Sequence, residues 1–183
     1  MSASAHHEHE HGDPACDAAH GTAVLPEDTR RVVLVFDAPV AREIAALTGR
    51  LGWPVTLLDP DPARLRPGEL PDVGTCTSVS EAGLDDRCEV VVCDHGRSEL
   101  GDVLAEVLAG PSRWVGVMGS LRHTAPHVAA LRARGVPEAD IARVQRPIGL
   151  DIGSRTPPEI AIATVAGLLA DRNGRPGGPF PVA

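Results

Sequence analysis

Arg31-Val32-Val33-Leu34-Val35-Phe36-Asp37-Ala38-Pro39-Val40-Ala41-Arg42-Glu43-Ile44-Ala45-Ala46-Leu47-Thr48-Gly49-Arg50-Leu51-Gly52-Trp53-Pro54-Val55-Thr56-Leu57-Leu58-Asp59 decides the fold. Its first six residues are an unbroken apolar run after Arg31, the pattern of a parallel strand buried on both faces. Ala41, Ile44, Ala45, Leu47 and Leu51 then recur at helical spacing until Gly52 closes the segment. Val55 to Leu58 forms a second strand ending in an acid, Asp59. Strand, helix, strand and terminal acid in this compass is the layout of a dinucleotide-binding unit and predicts an α/β, Rossmann-like three-layer fold with a mostly parallel sheet flanked by helices.

The turn that should carry that unit's glycines does not carry them. At the six positions of a G-x-G-x-x-G fingerprint stand Phe36, Asp37, Ala38, Pro39, Val40 and Ala41. Phe36 and Ala38 replace the glycines that let a pyrophosphate approach the backbone, Asp37 adds a negative charge, and Pro39 removes a donor. The architecture is therefore expected to persist without ordinary NAD(P) binding, which leaves Asp59 a strand-end acid with no ribose to hold.

Outward from this unit, further strands are expected near Val73 to Thr77, at Glu89 to Cys93 and at Trp114 to Val117, with a helix over Leu100 to Leu108. The Glu89 strand runs into Asp94-His95-Gly96, at the carboxyl edge where open α/β sheets bind ligands. His95 is a candidate for proton handling or ligand contact, and equally an ordinary loop histidine. Cys93 lies inside the strand signal and reads as a small buried hydrophobe. Gly116, Gly119 and Ser120 form a second strand-to-turn junction whose N–H groups could face an anion, with Arg122 beside it. Pro126 argues against a helix from Ser120 and places the start near Thr124. His123 and His127, four apart, have a metal-binding spacing but no third ligand, which favours solvated surface and no metal.

The loop Pro147-Ile148-Gly149-Leu150-Asp151-Ile152-Gly153 sets two glycines around one carboxylate, followed by Ser154 and Arg155. Thr156 as N-cap, Pro157 at the first helical position and Glu159 three residues after the threonine predict a capping box and a helix through Leu169. Prolines and capping box use up that helix's donors, so recognition falls to the loop. Asp151 could accept two hydrogen bonds, Arg155 could hold a phosphate, and Gly149 and Gly153 permit close backbone approach. Asp151 and Arg155 could equally pair with each other and hold the loop shut.

The 183 residues fit one domain, with net charge −8 and 17 basic residues, all Arg. The absence of Lys excludes lysine Schiff-base chemistry and a P-loop lysine. Aromatics make up 2% of the chain and no Arg cluster interleaves with them, so nucleic-acid binding is not expected. No apolar run reaches a membrane span, no signal-peptide core is present, and the four cysteines lack a disulfide or Cys-x-x-Cys pattern; a cytoplasmic protein is expected. Residues 1–29 read as a disordered His-rich tail, 30–172 as the domain and 173–183 as a flexible tail. Any metal affinity of the first tail would be incidental.

Trp114-Val115-Gly116-Val117-Met118-Gly119-Ser120-Leu121-Arg122 and PIGLDIGSRTPPEIA from Pro147 to Ala161 resemble the C-terminal Rossmann domain of the XdhC/CoxI family of molybdenum-enzyme maturation factors. The resemblance spans about Arg31 to Arg172. It implies a Rossmann-like fold, often dimeric, which admits a homodimer, and binding of the molybdenum cofactor (molybdopterin). Such a chaperone protects the cofactor during sulfuration and passes it to a xanthine dehydrogenase, CO dehydrogenase or related molybdenum hydroxylase client. Carried over by position, the cofactor-binding residues are His95, Gly116, Gly119, Ser120, Arg122, Gly149, Asp151, Gly153 and Arg155, with none catalytic. The resemblance breaks at Phe36-Asp37-Ala38-Pro39, where the family commonly reads Gly-Ala-Gly-His, and at Asp94-His95-Gly96-Arg97, where it reads Thr-His-Asp-His. Where the family usually has an N-terminal domain, the His-rich stretch is expected to stand in its place. Alternatives in other classes are an NAD(P)-dependent oxidoreductase, against which the lost glycines and the absence of Tyr and Lys argue, and a non-catalytic interaction domain without a ligand.

Overall fold

The structure, a computed structural model, describes residues 14–21, 30–120 and 125–179. Its centre is a six-stranded sheet in the order β3-β2-β1-β4-β5-β6: β1 (Arg31–Val35), β2 (Val55–Leu58), β3 (Val73–Cys76), β4 (Cys88–Val92), β5 (Trp114–Val117) and β6 (Val144–Gln145). Every pairing is parallel, with Val35 opposite Leu58 on one side and Val92 on the other. The expected mostly parallel three-layer fold is thus present. Strand order reverses between β1 and β4, the place where such sheets receive ligands beyond their carboxyl ends.

The unbroken apolar runs are explained by burial on both faces. Val33 and Val35 of β1 and Val90 and Val92 of β4 face α3 (Val79–Ala82), α4 (Leu100–Ala109), α5 (Pro126–Arg132) and α6 (Glu138–Ile141). Val32, Leu34 and Val91 face α2 (Pro39–Arg50) and α7 (Pro157–Arg172), which also pack on each other. Successive strand residues point to opposite faces, so a strand covered on both sides is apolar at almost every position, Glu89 of β4 being the buried exception among these.

Three boundaries differ from expectation. The helix expected from near Thr124 begins instead at Pro126, with Ala125 as N-cap, because a first-turn proline gives up only a donor that would be unpaired anyway; Thr124 lies outside the described residues. Within the stretch expected to be disordered, Pro14–Ala19 forms α1, while most of the histidines there lie outside the described residues. The segment after α7 folds back: Arg175 N–H donates to Ala170 at 2.8 Å, and Gly177 lies against the Leu150 side chain. Among the described residues no helix is long and apolar enough to cross a membrane.

Candidate functional site

At the switch point between β1 and β4, the first turn is closed by side chains. Phe36 follows β1 with φ 70° and is wholly buried. Asp59, after β2, is also wholly buried. It accepts two parallel bonds of 3.0 Å from Arg97 Nη1 and Nη2, one of 3.0 Å from the Asp37 N–H and one of 3.0 Å from the Asp61 N–H. Burial alone would raise the Asp59 carboxyl; the Arg97 guanidinium and the two backbone donors reverse that and hold it below its ordinary value. Arg97 also donates to Glu99 at 2.8 Å, which brings the Glu99 carboxyl down to about 2, and its guanidinium lies 4.7 Å from the Phe36 ring centroid. The two stretches at which the family resemblance breaks are therefore in contact. Asp37, which would have repelled a phosphate, is bound by Arg42, and Arg42 reaches Glu69 at 2.6 Å. Asp59 is no idle strand-end acid. No local pattern announced its partner, 38 residues away.

His95, beside this knot, is half-buried. Burial pushes the Cys93 thiol up, as suits an inert core residue.

The second junction differs from its sequence reading. Gly116 is a buried β5 residue over which Trp114 folds: a Cβ there would lie 2.1 Å from the indole Cη2 and 2.5 Å from Ile148 Cγ2. It serves packing, and its place in the strand ladder removes it from any anion. Gly119 makes room for Arg146, whose Nε would stand 2.4 Å from a Cβ, and Arg146 Nη2 donates to the Ser120 carbonyl at 3.1 Å. A guanidinium of the chain thus lies where an anion had been expected. Arg122 and His123 lie outside the described residues. His127 is buried rather than solvated, because α5 turns it inward; burial and the nearby Arg146 charge lower its pKa and favour the neutral ring. No group of three or more metal-ligating side chains occurs among the described residues.

The loop before α7 is fixed at one end and open at the other. Gly149, at φ 86°, sits against the backbone of α7: a Cβ would lie 2.8 Å from the Ala163 carbonyl oxygen. Leu150 N–H donates to that same oxygen at 3.0 Å. Past Leu150 the chain turns outward, so that Asp151, Ile152, Gly153 and Arg155 are all exposed. Gly153 supplies the turn with φ 71°. Neither the Asp151 carboxylate nor the Arg155 guanidinium has a hydrogen bond or ion pair among the described residues, so the pair does not hold the loop shut. The capping box is formed, with the Arg155 and Thr156 N–H groups donating to Glu159 at 2.7 and 3.0 Å. The helix end is saturated as expected, and the free polar chemistry belongs to side chains of the loop. The bend is an open rim, not an enclosed pocket.

At the opposite, amino-terminal edge of the sheet, Glu89 is wholly buried between Arg113 at 3.4 Å and Arg172 at 3.8 Å, with Arg30 stacked on Trp53 nearby. Burial raises the Glu89 carboxyl, and the three arginine charges offset this only in part.

Comparison with known proteins agrees with this architecture. The uncharacterized protein YqeB of Escherichia coli (strain K12) is 32% identical over 153 residues, covering 81% of this chain and 28% of YqeB. The chain thus spans under a third of that relative. The crystal structure of a xanthine dehydrogenase from Bacillus halodurans superposes with a TM-score of 0.65 at 20% identity, covering 80% of this chain and 45% of that one, a likeness of fold. The family model of the XdhC Rossmann domain matches residues 32–168, from the first strand to the last helix, and the chain belongs to that family.

Proposed function

We propose that this chain is a cytoplasmic accessory or maturation factor that binds the molybdenum cofactor for a molybdenum hydroxylase client, and that the rim from Gly149 to Arg155 is where it does so. Membership of the XdhC Rossmann domain family supports the molybdenum connection. The observation that carries the site is the division of labour within the loop: Gly149 and Leu150 are locked to α7, while Asp151 and Arg155 project with no partner among the described residues.

The residues fit the group. A pterin edge presents paired N–H donors that a free carboxylate such as Asp151 can accept in two places, and a terminal phosphate suits the Arg155 fork. The cofactor would bring the redox-active molybdenum centre of the client. The chain's own part is to orient and hold. An open rim covers a flat ligand on one side only, which suits a carrier that must present its cargo to a second protein.

Equilibrium titration of the purified protein with molybdenum cofactor tests the reading. Asp151→Asn is expected to weaken binding by more than about tenfold, a loss of about 1.4 kcal/mol, with the thermal midpoint unchanged. Equal affinity of the two proteins removes Asp151 from the site, and no binding by either removes the function.

A further inference from the structure

We propose that Arg97 is the resident occupant of the crevice at which a sheet of this order receives a nucleotide, and that Arg97 with Phe36 makes this chain refuse nucleotides there. The loops after β1 and β4 flank the point of strand reversal, and both are turned to this purpose. An ionised carboxylate has about four lone-pair sites. Those of Asp59 are met by two guanidinium and two backbone N–H groups, all at 3.0 Å, so none remains for a ribose hydroxyl. The arginine that does this is itself enclosed, with its side chain 8% exposed, stacked on Phe36 and tied to Glu99. Phe36 stands at the first glycine position of the fingerprint, already in the left-handed conformation a glycine would adopt there, but its wholly buried ring packs in the core and carries the Arg97 guanidinium 4.7 Å from its centroid, so no bare glycine backbone faces the crevice.

An incoming nucleotide would have to part a buried bidentate pair and leave one charge without its partner, which is strongly unfavourable. The guanidinium thus stands in for a ligand: planar, stacked on a ring, and bonded to the acid after β2. The exclusion is by occupation as well as by missing glycines. It does not depend on the pterin reading of the rim at Gly149 to Arg155.

Calorimetric titration with AMP and with NADPH, at millimolar ligand, compares wild type, Phe36→Gly, Arg97→Ala and the double variant, each first shown to be folded by thermal unfolding. Wild type and Phe36→Gly, which keep the ion pair, are expected to bind neither. Arg97→Ala should gain affinity by at least about tenfold over the wild-type limit, and the double variant should bind more tightly still. Nucleotide binding by wild type that Arg97→Ala does not strengthen overturns the proposal, as does no binding by any folded variant. A second readout needs no substitution at Arg97. Its guanidinium N–H resonances in wild type should be slow to exchange with water and unmoved by millimolar AMP; a shift on addition means that Arg97 yields to the ligand, and the proposal fails.

Discussion

Gly167, in the middle of α7, and Gly149, in the loop before it, touch backbone to backbone: a Cβ on Gly167 would stand 2.6 Å from the Gly149 Cα. Neither side of this contact is a flexible side chain that could move aside. The contact seats the fixed half of the loop whose free half carries Asp151.

Gly167→Ala should therefore push the loop off α7. Overpacking of this kind costs about 1–3 kcal/mol, and in a domain of this size each kcal/mol lowers Tm by ~2–4 °C. Thermal unfolding checks the loss. The expected accompaniment is weaker cofactor binding with Asp151 intact, because its support has moved.

Asp59→Asn removes the negative partner of the enclosed Arg97. Breaking a buried pair from one side costs about 3–5 kcal/mol. Because the folded Asp59 carboxyl lies below its ordinary value, its contribution is complete above the unfolded value of about 3.9 and is lost as pH falls through the lowered one. Urea unfolding from neutral to strongly acid pH should show the gap between wild type and variant constant down to that unfolded value and closing only below it.

Glu89 shifts the other way. Its folded carboxyl is raised by burial, so the wild type binds that proton more tightly folded than unfolded, and stability falls as pH rises from the unfolded value of about 4.3 through the raised one. Glu89→Gln abolishes that dependence. Measured side by side, wild type should lose stability relative to the variant as pH rises across this window; parallel curves would mean that Arg30, Arg113 and Arg172 fully offset burial.

Gly116→Ala drives a methyl group into the Trp114 indole and Ile148. A cost of about 1–3 kcal/mol is expected, with a change in the near-ultraviolet circular dichroism of Trp114. A changed spectrum with an unchanged Tm would show that the indole has room to move.

β1, β4 and β5 were legible because burial on both faces makes them almost wholly apolar, and α7 because Thr156, Pro157 and Glu159 spell its cap. β6 escaped notice: Val144 and Gln145 are too few to show a period, and only Val115 and Gly116 across the ladder make them a strand. At the sites, residue type was visible but purpose was not. Gly116 and Gly119 read as anion-facing turns, yet one is hollowed for Trp114 and the other for Arg146, side chains whose arrival depends on tertiary packing. Asp59 and Arg97 stood in separate motifs, and only the fold joins them. The turns at Gly149 and Gly153 were legible because a glycine's positive φ is a local property.

Gly177 comes to rest on Leu150, on the fixed half of that loop, where a Cβ in its place would stand 2.5 Å from Leu150 Cδ2. The segment after α7 thus serves as a clasp on the loop's root. A fusion partner or tag joined downstream, or a cut made before Gly177, would tug at or bare Leu150 and with it change how the rim is held out. For anyone preparing this protein, the choice of carboxyl-terminal boundary is a choice about how the Gly149 to Arg155 loop is held.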